Sequence, residues 1–275
     1  MKLSECKPAS FDLQYYIERY SLLEFYREAL SAHWERCIPD GFIKIFFYEK
    51  PLKGIYKNEK GTILSWNEGV GGHPVDQNSF IKLPSCDWKF FWVSFKPAQF
   101  YQLFKIPITE INNGICPLEC FLGKDGLELK EKIFEAPDFT SVVQQFDTFF
   151  SKLIAKKNLK PSSMITIQNS IFSSNGNMEV GKIAQTERIS IRTLQRKFQE
   201  EIGVSPKHFA RIIRFNHILR LIRKDSNNPD WQGIIDECGY FDHSHFIHDV
   251  KSVTGDKPSD YFNKICRITD MHAGR

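Results

Sequence analysis

Arg192, Gln195 and Arg196 fall within five consecutive positions and carry side chains suited to reading nucleic-acid bases. A guanidinium pairs bidentately with the O6 and N7 of guanine, and a carboxamide pairs with the N6 and N7 of adenine. About fifty residues later His243, Ser244 and His248 form a second polar group, with Lys251 placed to reach a phosphate. Each group also has an ordinary explanation. Surface arginines form salt bridges, and neutral histidines hydrogen-bond locally. Because imidazoles change charge near neutrality, His243, His245 and His248 also admit pH-dependent binding.

Either group needs a rigid element to present it, and the chain supplies such an element twice. At an offset of 52 positions Ile183 falls on Ile235, Ser190 on Asp242, Leu194 on Phe246, Phe198 on Val250, Gly203 on Gly255, Pro206 on Pro258 and Phe209 on Tyr261. In each copy a short apolar helix leads through a turn to Ser190 or Asp242, both preferred helix N-caps. A second helix follows, with Leu194 and Phe198, or Phe246 and Val250, four apart on one buried stripe. Gly203 and Gly255 end these helices, and Pro206 and Pro258 open the next. Helix, tight turn and amphipathic helix is the helix-turn-helix pattern. Between the copies Ser205 to Lys224 reads as one long helix, with Phe209, Ile212, Ile213, Leu219 and Ile222 inward. Its length of about 30 Å would hold two reading heads one duplex turn apart.

These residues resemble the DNA-binding domain of the AraC/XylS family of bacterial transcription regulators. The resemblance runs through Ile189-Ser190, Leu194 to Phe198, Gly203 to Pro206, Arg211 and Arg214, then Cys238-Gly239-Tyr240, Asp242, Ser244-His245-Phe246, Lys251, Thr254-Gly255 and Pro258 to Tyr261. It implies a sequence-specific activator in the cytoplasm that binds double-stranded DNA and contacts RNA polymerase. Arg192, Gln195 and Arg196 match family positions that touch bases or nearby backbone. The second unit departs from the pattern. His248 stands where Arg is usual, and Asp249 and Val250 replace a small or apolar residue and Phe. An acidic Asp249 beside the duplex would repel phosphate. The first motif is therefore expected to supply most of the specificity and the second to position the duplex. The first turn has Glu187 where the second has Gly239.

The rest of the chain is read around this half. Its 275 residues, 41% hydrophobic and 25% charged, have the composition of a folded protein of one large or two ordinary domains. From Lys160 to Arg267 there are 16 Lys and Arg against 12 Asp and Glu, so this span carries the whole formal excess of +4. A non-specific architectural DNA protein would be far more basic. No leader and no membrane-spanning run is read. The seven cysteines, Cys6, Cys37, Cys86, Cys116, Cys120, Cys238 and Cys266, include no C-x-x-C pair. Cys116 and Cys120 stand four apart, open to metal or to structural thiols, with structural thiols taken as the default.

Phe11 to Phe25 reads as extended, and strands are expected at Phe42 to Tyr48, Thr62 to Trp66, Phe80 to Leu83 and Lys89 to Lys96. Turns are expected at Pro39-Asp40-Gly41, Gly69 to Pro74 and Pro84-Ser85. Pro97 opens a helix to Phe104, and helical spacing recurs over Leu127 to Phe134 and Phe139 to Ile154. The last of these either packs on the strands or serves as a dimerisation or coupling element. Pro39-Asp40-Gly41 with its strand, and Phe95 to Ala98 before a helix, also resemble the β-rich sensory domain of some AraC-like regulators. That resemblance implies effector binding or self-association. Tyr48, Trp66, Trp88, Phe91 and Trp92 are pocket candidates, with core aromatics as the alternative. His33 and His73 stand apart and make no metal cluster.

The expected class is α+β. A β-barrel or cupin-like domain with packed helices (1–158) precedes a linker (159–176), an all-α domain of two helix-turn-helix subdomains joined by a long helix (177–267) and a tail (268–275). The expected function is a DNA-binding transcription regulator reading a bipartite site, without catalytic residues, metal or cofactor. A small-molecule effector and a homodimer are admitted, and no membrane partner is expected. The competing reading is a small-molecule-binding or enzymatic barrel tethered to DNA by its C-terminal domain.

Overall fold

The computed structural model describes residues 2–25, 34–49, 52–57, 63–66, 69–73, 79–82, 87–157, 159, 162–224 and 229–262. Expectations for His33, Thr62, Pro74, Leu83 to Cys86, Lys160, Asn227-Asn228, Cys266 and the tail lie outside the described residues, as does the side chain of Trp66.

Ser10 changes the first expectation. Its side chain accepts from Leu13 N at 3.2 Å and caps a helix, Phe11–Tyr16 (α1), where extended chain was expected. The capped turn prevails over the β preference of the aromatics because Leu13 and Tyr16, three apart, both go inward. Strand begins only at Ile17–Phe25 (β2), which pairs with Lys2–Cys6 (β1). The strands Trp34–Arg36 (β3), Ile43–Tyr48 (β4), Leu52–Lys57 (β5), Ile63–Trp66 (β6), Gly69–Gly71 (β7), Phe80–Lys82 (β8), Trp88–Phe95 (β9) and Ile115–Pro117 (β10) follow. They form two antiparallel sheets among the described residues, ordered β1-β2-β9-β4-β7-β10 and β3-β8-β5-β6. β7 lies where a glycine turn was expected. Gly69 is pressed so close to β10 that a Cβ there would meet the Cys116 carbonyl oxygen at 2.4 Å. Small residues make this narrow pairing feasible.

The central strands of the larger sheet are buried on both faces. Ile43, Ile45 and Phe47 of β4, with Phe91, Val93 and Phe95 of β9, face a core shared with the helices Glu119–Glu135 (α3) and Phe139–Ala155 (α4). Phe146 of α4 stacks on Tyr20 at 5.1 Å, and Phe150 meets Phe95 edge-on at 5.2 Å. α4 thus packs on the sheet, as the first of its two sequence readings has it. The opposite face holds Tyr48, Trp88, Phe90 and Trp92 in successive ring contacts of 5.4, 4.7 and 4.8 Å. The described pocket candidates Tyr48, Trp88, Phe91 and Trp92 are all buried core residues. α2 (Pro97–Phe104) spans its expected range, and α3 breaks at Gly123, where φ is 57°.

Among the described residues the C-terminal half has helices and no strand. It contains α5 (Ser163–Ser173), α6 (Val180–Thr186), α7 (Ile191–Glu201), α8 (Pro206–Lys224), α9 (Trp231–Glu237), α10 (His243–Thr254) and α11 (Pro258–Phe262). α5, on the stretch read as connector, buries Met164, Ile165, Ile167 and Ile171 in the core of the first helical unit. The turn after it is fixed. Arg214 donates to the Gly176 carbonyl at 2.9 Å and Arg220 to Asn175 Oδ1 at 2.9 Å. Among the described residues no helix is long and apolar enough to cross a membrane.

Candidate nucleic-acid interface

Each recognition helix begins on the expected cap. Ser190 Oγ accepts from Thr193 N at 3.1 Å, and Asp242 Oδ1 accepts from His245 N at 2.7 Å. Leu194 and Phe198 of α7, and Phe246 and Val250 of α10, are buried as the four-residue spacing requires. Rotation about that stripe leaves Ile191, Arg192, Gln195 and Arg196 exposed on α7, and His243, Ser244, Ile247, His248 and Lys251 exposed on α10. All seven side chains singled out in the sequence for base or phosphate contact therefore reach solvent. Arg196 pairs with Glu200 Oε2 at 3.7 Å, one turn on. His243 lies 3.3 Å from Gln232 Oε1.

Asp249 overturns its sequence expectation. It is buried, turned away from the exposed face, with oxygens 2.9 Å from Arg211 Nε and 3.1 Å from an Arg214 guanidinium nitrogen of α8. Arg214 also lies over the Tyr240 ring at 5.0 Å. The carboxylate therefore braces α10 against α8 and does not repel phosphate. Sequence reasoning missed this pairing, although two arginines three apart on a helix were a signal for a shared anionic partner.

The turns differ by one residue, which a single offset concealed. Ile183 N bonds Glu179 O at 3.1 Å and Ile234 N bonds Asp230 O at 2.9 Å, so the leading helices match at 51 positions. The caps Ser190 and Asp242 match at 52. Arg188 at φ 53° thus corresponds to Gly239 at φ 69°, in place of the Glu187 to Gly239 pairing expected from sequence. Ile189 corresponds to Tyr240, since their amides bond Ala184 O at 3.0 Å and Ile235 O at 3.1 Å. Phe241 is the extra residue, and it is 93% exposed.

α8, of 19 residues, spans about 28 Å between the units. Phe209, Ile212, Ile213 and Leu219 are buried along it as expected, Ile222 is only half-buried, and Phe215 and Ile218 complete its inward side. The N-terminal domain holds the far ends of both recognition helices. Asn112 Nδ2 donates to the Gly203 carbonyl at 2.6 Å, just beyond α7, and Tyr101 OH donates to Glu200 Oε1 at 2.6 Å. That bond, with burial and the carboxylate charge adding to it, pushes the Tyr101 phenol up to about 12. At α10, Arg36 donates to the Thr254 carbonyl and pairs with Asp256 at 3.8 Å. The middle of α8 is docked too. Asn216 donates to the Pro39 carbonyl at 3.2 Å, and Gly41 sits so near Ile213 that a Cβ would approach Ile213 Cδ1 to 2.6 Å.

Two capped helices with exposed polar N-terminal turns, each preceded by a tight turn, have the geometry of major-groove readers. Comparison with known proteins agrees. Residues 183–264 match a helix-turn-helix domain family. The C-terminal domain is an AraC-type helix-turn-helix domain. The protein is accordingly a DNA-binding transcription regulator. Residues 4–117 match a family described as a domain of unknown function, DUF6597. Among solved structures, an apo single-substitution variant of ToxT from Vibrio cholerae strain SCE256 superposes with a TM-score of 0.50 at 16% identity, covering 89% of this chain and 97% of that one. An unsaturated fatty acid bound wild-type ToxT from the same strain gives 0.49 at 14% identity, covering 90% and 95%. No curated protein sequence matches the chain. The ToxT likeness is one of fold, a β-rich N-terminal domain followed by helix-turn-helix units.

Proposed function

We propose that the protein is a transcription activator that reads a bipartite site with α7 and α10 in adjacent major grooves, under control of its N-terminal domain. The observation that carries this reading is the exposure of the N-terminal turns of both recognition helices while the N-terminal domain occupies their C-terminal ends. Arg192, Gln195 and Arg196 read bases in the first half-site. His243, Ser244 and His248 contact the second, and Lys251 neutralises a phosphate. The regulatory domain comprises 1–158 and the DNA-binding domain 177–267. Activation, contact with RNA polymerase and formation of a homodimer are carried over from the family resemblance. For an effector, the supporting feature is a cleft of about 400 Å³ between the domains, lined by Glu18, Asp40, Phe42, Lys96, Phe172 and Arg220 among others. Its occupant would touch both domains at once.

Selection of bound DNA from a random pool by the full chain, at one stated salt concentration, tests this reading. Two enriched blocks about ten base pairs apart are expected. Loss of preference in the first block alone on Arg196→Ala assigns α7 to it. Enrichment of no sequence would refute the bipartite reader.

A further inference from the structure

We propose that Phe241 is a specificity-determining residue of the second reading head, its ring packing on the 5-methyl group of a thymine in the major groove. The proposal rests on the DNA-reading role of α10 and adds to it a base contact outside the helix. Phe241 exists as an extra residue: the leading helices and turns correspond at 51 positions, the caps at 52, and the insertion falls between Tyr240 and Asp242. Both neighbours are anchored. Tyr240 N bonds Ile235 O at 3.1 Å, and Asp242 caps α10 through His245 N at 2.7 Å. The ring is thus carried on a short, fixed segment, so little freedom is lost when it meets a partner.

The large apolar side chains most open to solvent among the described residues are Phe11, Tyr15, Ile191, Phe241 and Ile247. Three of these five belong to the recognition units. Phe241 adjoins the N-terminal turn of α10, where His243 and Ser244 are exposed, and Ile247 lies one turn along the same helix. In the major groove thymine differs from the other bases by a methyl group, which apolar side chains, Phe among them, contact. A phenyl ring and an isoleucine beside Ser244 would therefore select thymine by shape, in a helix that lacks the arginine its family pattern leads one to expect at His248. Continuity with the exposed polar face of α10 favours DNA over a protein as the occupant.

The test uses the full chain and the site it selects from a random pool. Each thymine of the second block is replaced singly by deoxyuridine, which removes the methyl and keeps every hydrogen-bonding group. Affinities are measured for the wild type and for Phe241→Ala and Phe241→Tyr at one salt concentration. One replacement is expected to weaken the wild type about 4-fold, the worth of one buried methyl. It should leave Phe241→Ala unaffected, and Phe241→Tyr should recover the response. Equal responses in wild type and Phe241→Ala, or no response at any thymine, would overturn the contact while leaving the reader intact. Unchanged DNA affinity in Phe241→Ala with reduced transcription from a reporter would also overturn it and assign the ring to a protein. If the pool yields no enriched sequence, the DNA-reading role falls and this contact with it.

Discussion

Replacing Asp249 by alanine should loosen the second recognition helix from the long helix that carries it. The carboxylate is buried and serves two guanidinium groups at 2.9 and 3.1 Å, whose side chains are only 19% and 11% exposed. Truncation leaves both arginines partly desolvated without their anion, and breaking a buried pair in this way costs about 3–5 kcal/mol. Arg214 keeps its bond to the Gly176 carbonyl and its place over Tyr240, so the lower end, about 3 kcal/mol, is the better figure. The loss should be local. Hydrogen exchange of the α10 amides at constant pH should accelerate by about two orders of magnitude, with α7 amides unchanged. Asp249→Asn, which retains shape and one acceptor, should fall between. DNA affinity should drop although Asp249 faces away from the duplex, because the spacing between the heads is no longer fixed. Exchange in α10 within threefold of wild type, on the order of 0.6 kcal/mol, would refute the brace.

Gly203 has φ 90°, and a Cβ there would lie 2.5 Å from Ile108 Cγ2 and 2.9 Å from Asn112 Nδ2, so Gly203→Ala should cost at least about 1–2 kcal/mol in denaturant unfolding. It should also hasten proteolysis between the domains. His73 is buried against Phe209, and burial foremost, with Lys44 and His208 adding and Asp40 opposing, lowers its imidazole from 6.5 to about 4. Between those values the unfolded chain binds the extra proton. Stability is therefore full above pH 6.5 and declines by up to about 3 kcal/mol as pH falls towards 4, a slope that His73→Phe should remove from the pH profile of unfolding. Tyr101→Phe withdraws the donor from Glu200 and frees that carboxylate for Arg196. The full chain should bind DNA about 2- to 5-fold more weakly, and a double-mutant cycle with Arg196→Ala should show that the effect requires the arginine.

What could be read from the sequence was whatever depended on local rules. Ser190 and Asp242 cap their helices, Leu194, Phe198, Phe246 and Val250 go inward, and Pro97 opens a helix, because each follows from spacing and cap chemistry within a few residues. The exposure of the side chains proposed to read DNA followed from the same stripes. Local rules failed where a distant partner or a small insertion decided the outcome. Asp249 looked like a surface acid because nothing near it in sequence reveals the arginines of α8. Gly69 to Gly71 looked like a turn because only β4 and β10 make it a strand. Phe11 to Tyr16 departs from expectation for a more local reason, since the Ser10 cap outweighs the β preference of its aromatics. A uniform offset hid the extra Phe241, since the six matches from Ser190 onward hold at 52 and carried Ile183 onto Ile235, one residue past its true partner Ile234.

The seam between the domains is built like a protein core. Ala98 of α2 belongs to the apolar cluster of the first helical unit and Ile38 to that of the second. Buried Gln168 accepts from Ala98 N at 2.9 Å and donates to Gln99 at 2.8 Å. A tethered domain that swings away on signal would have to dismantle this seam. A stiff coupling instead transmits small rotations. α7 is 11 residues long, a lever of about 16 Å. Held by Asn112 and Tyr101 at its far end, it turns a tilt of about five degrees into a displacement of about 1.4 Å at Arg192, well beyond the spread of about 0.5 Å in hydrogen-bond length. Control through such a seam would act as gearing, in which a shift too small to alter the fold decides whether the exposed side chains of α7 meet a base.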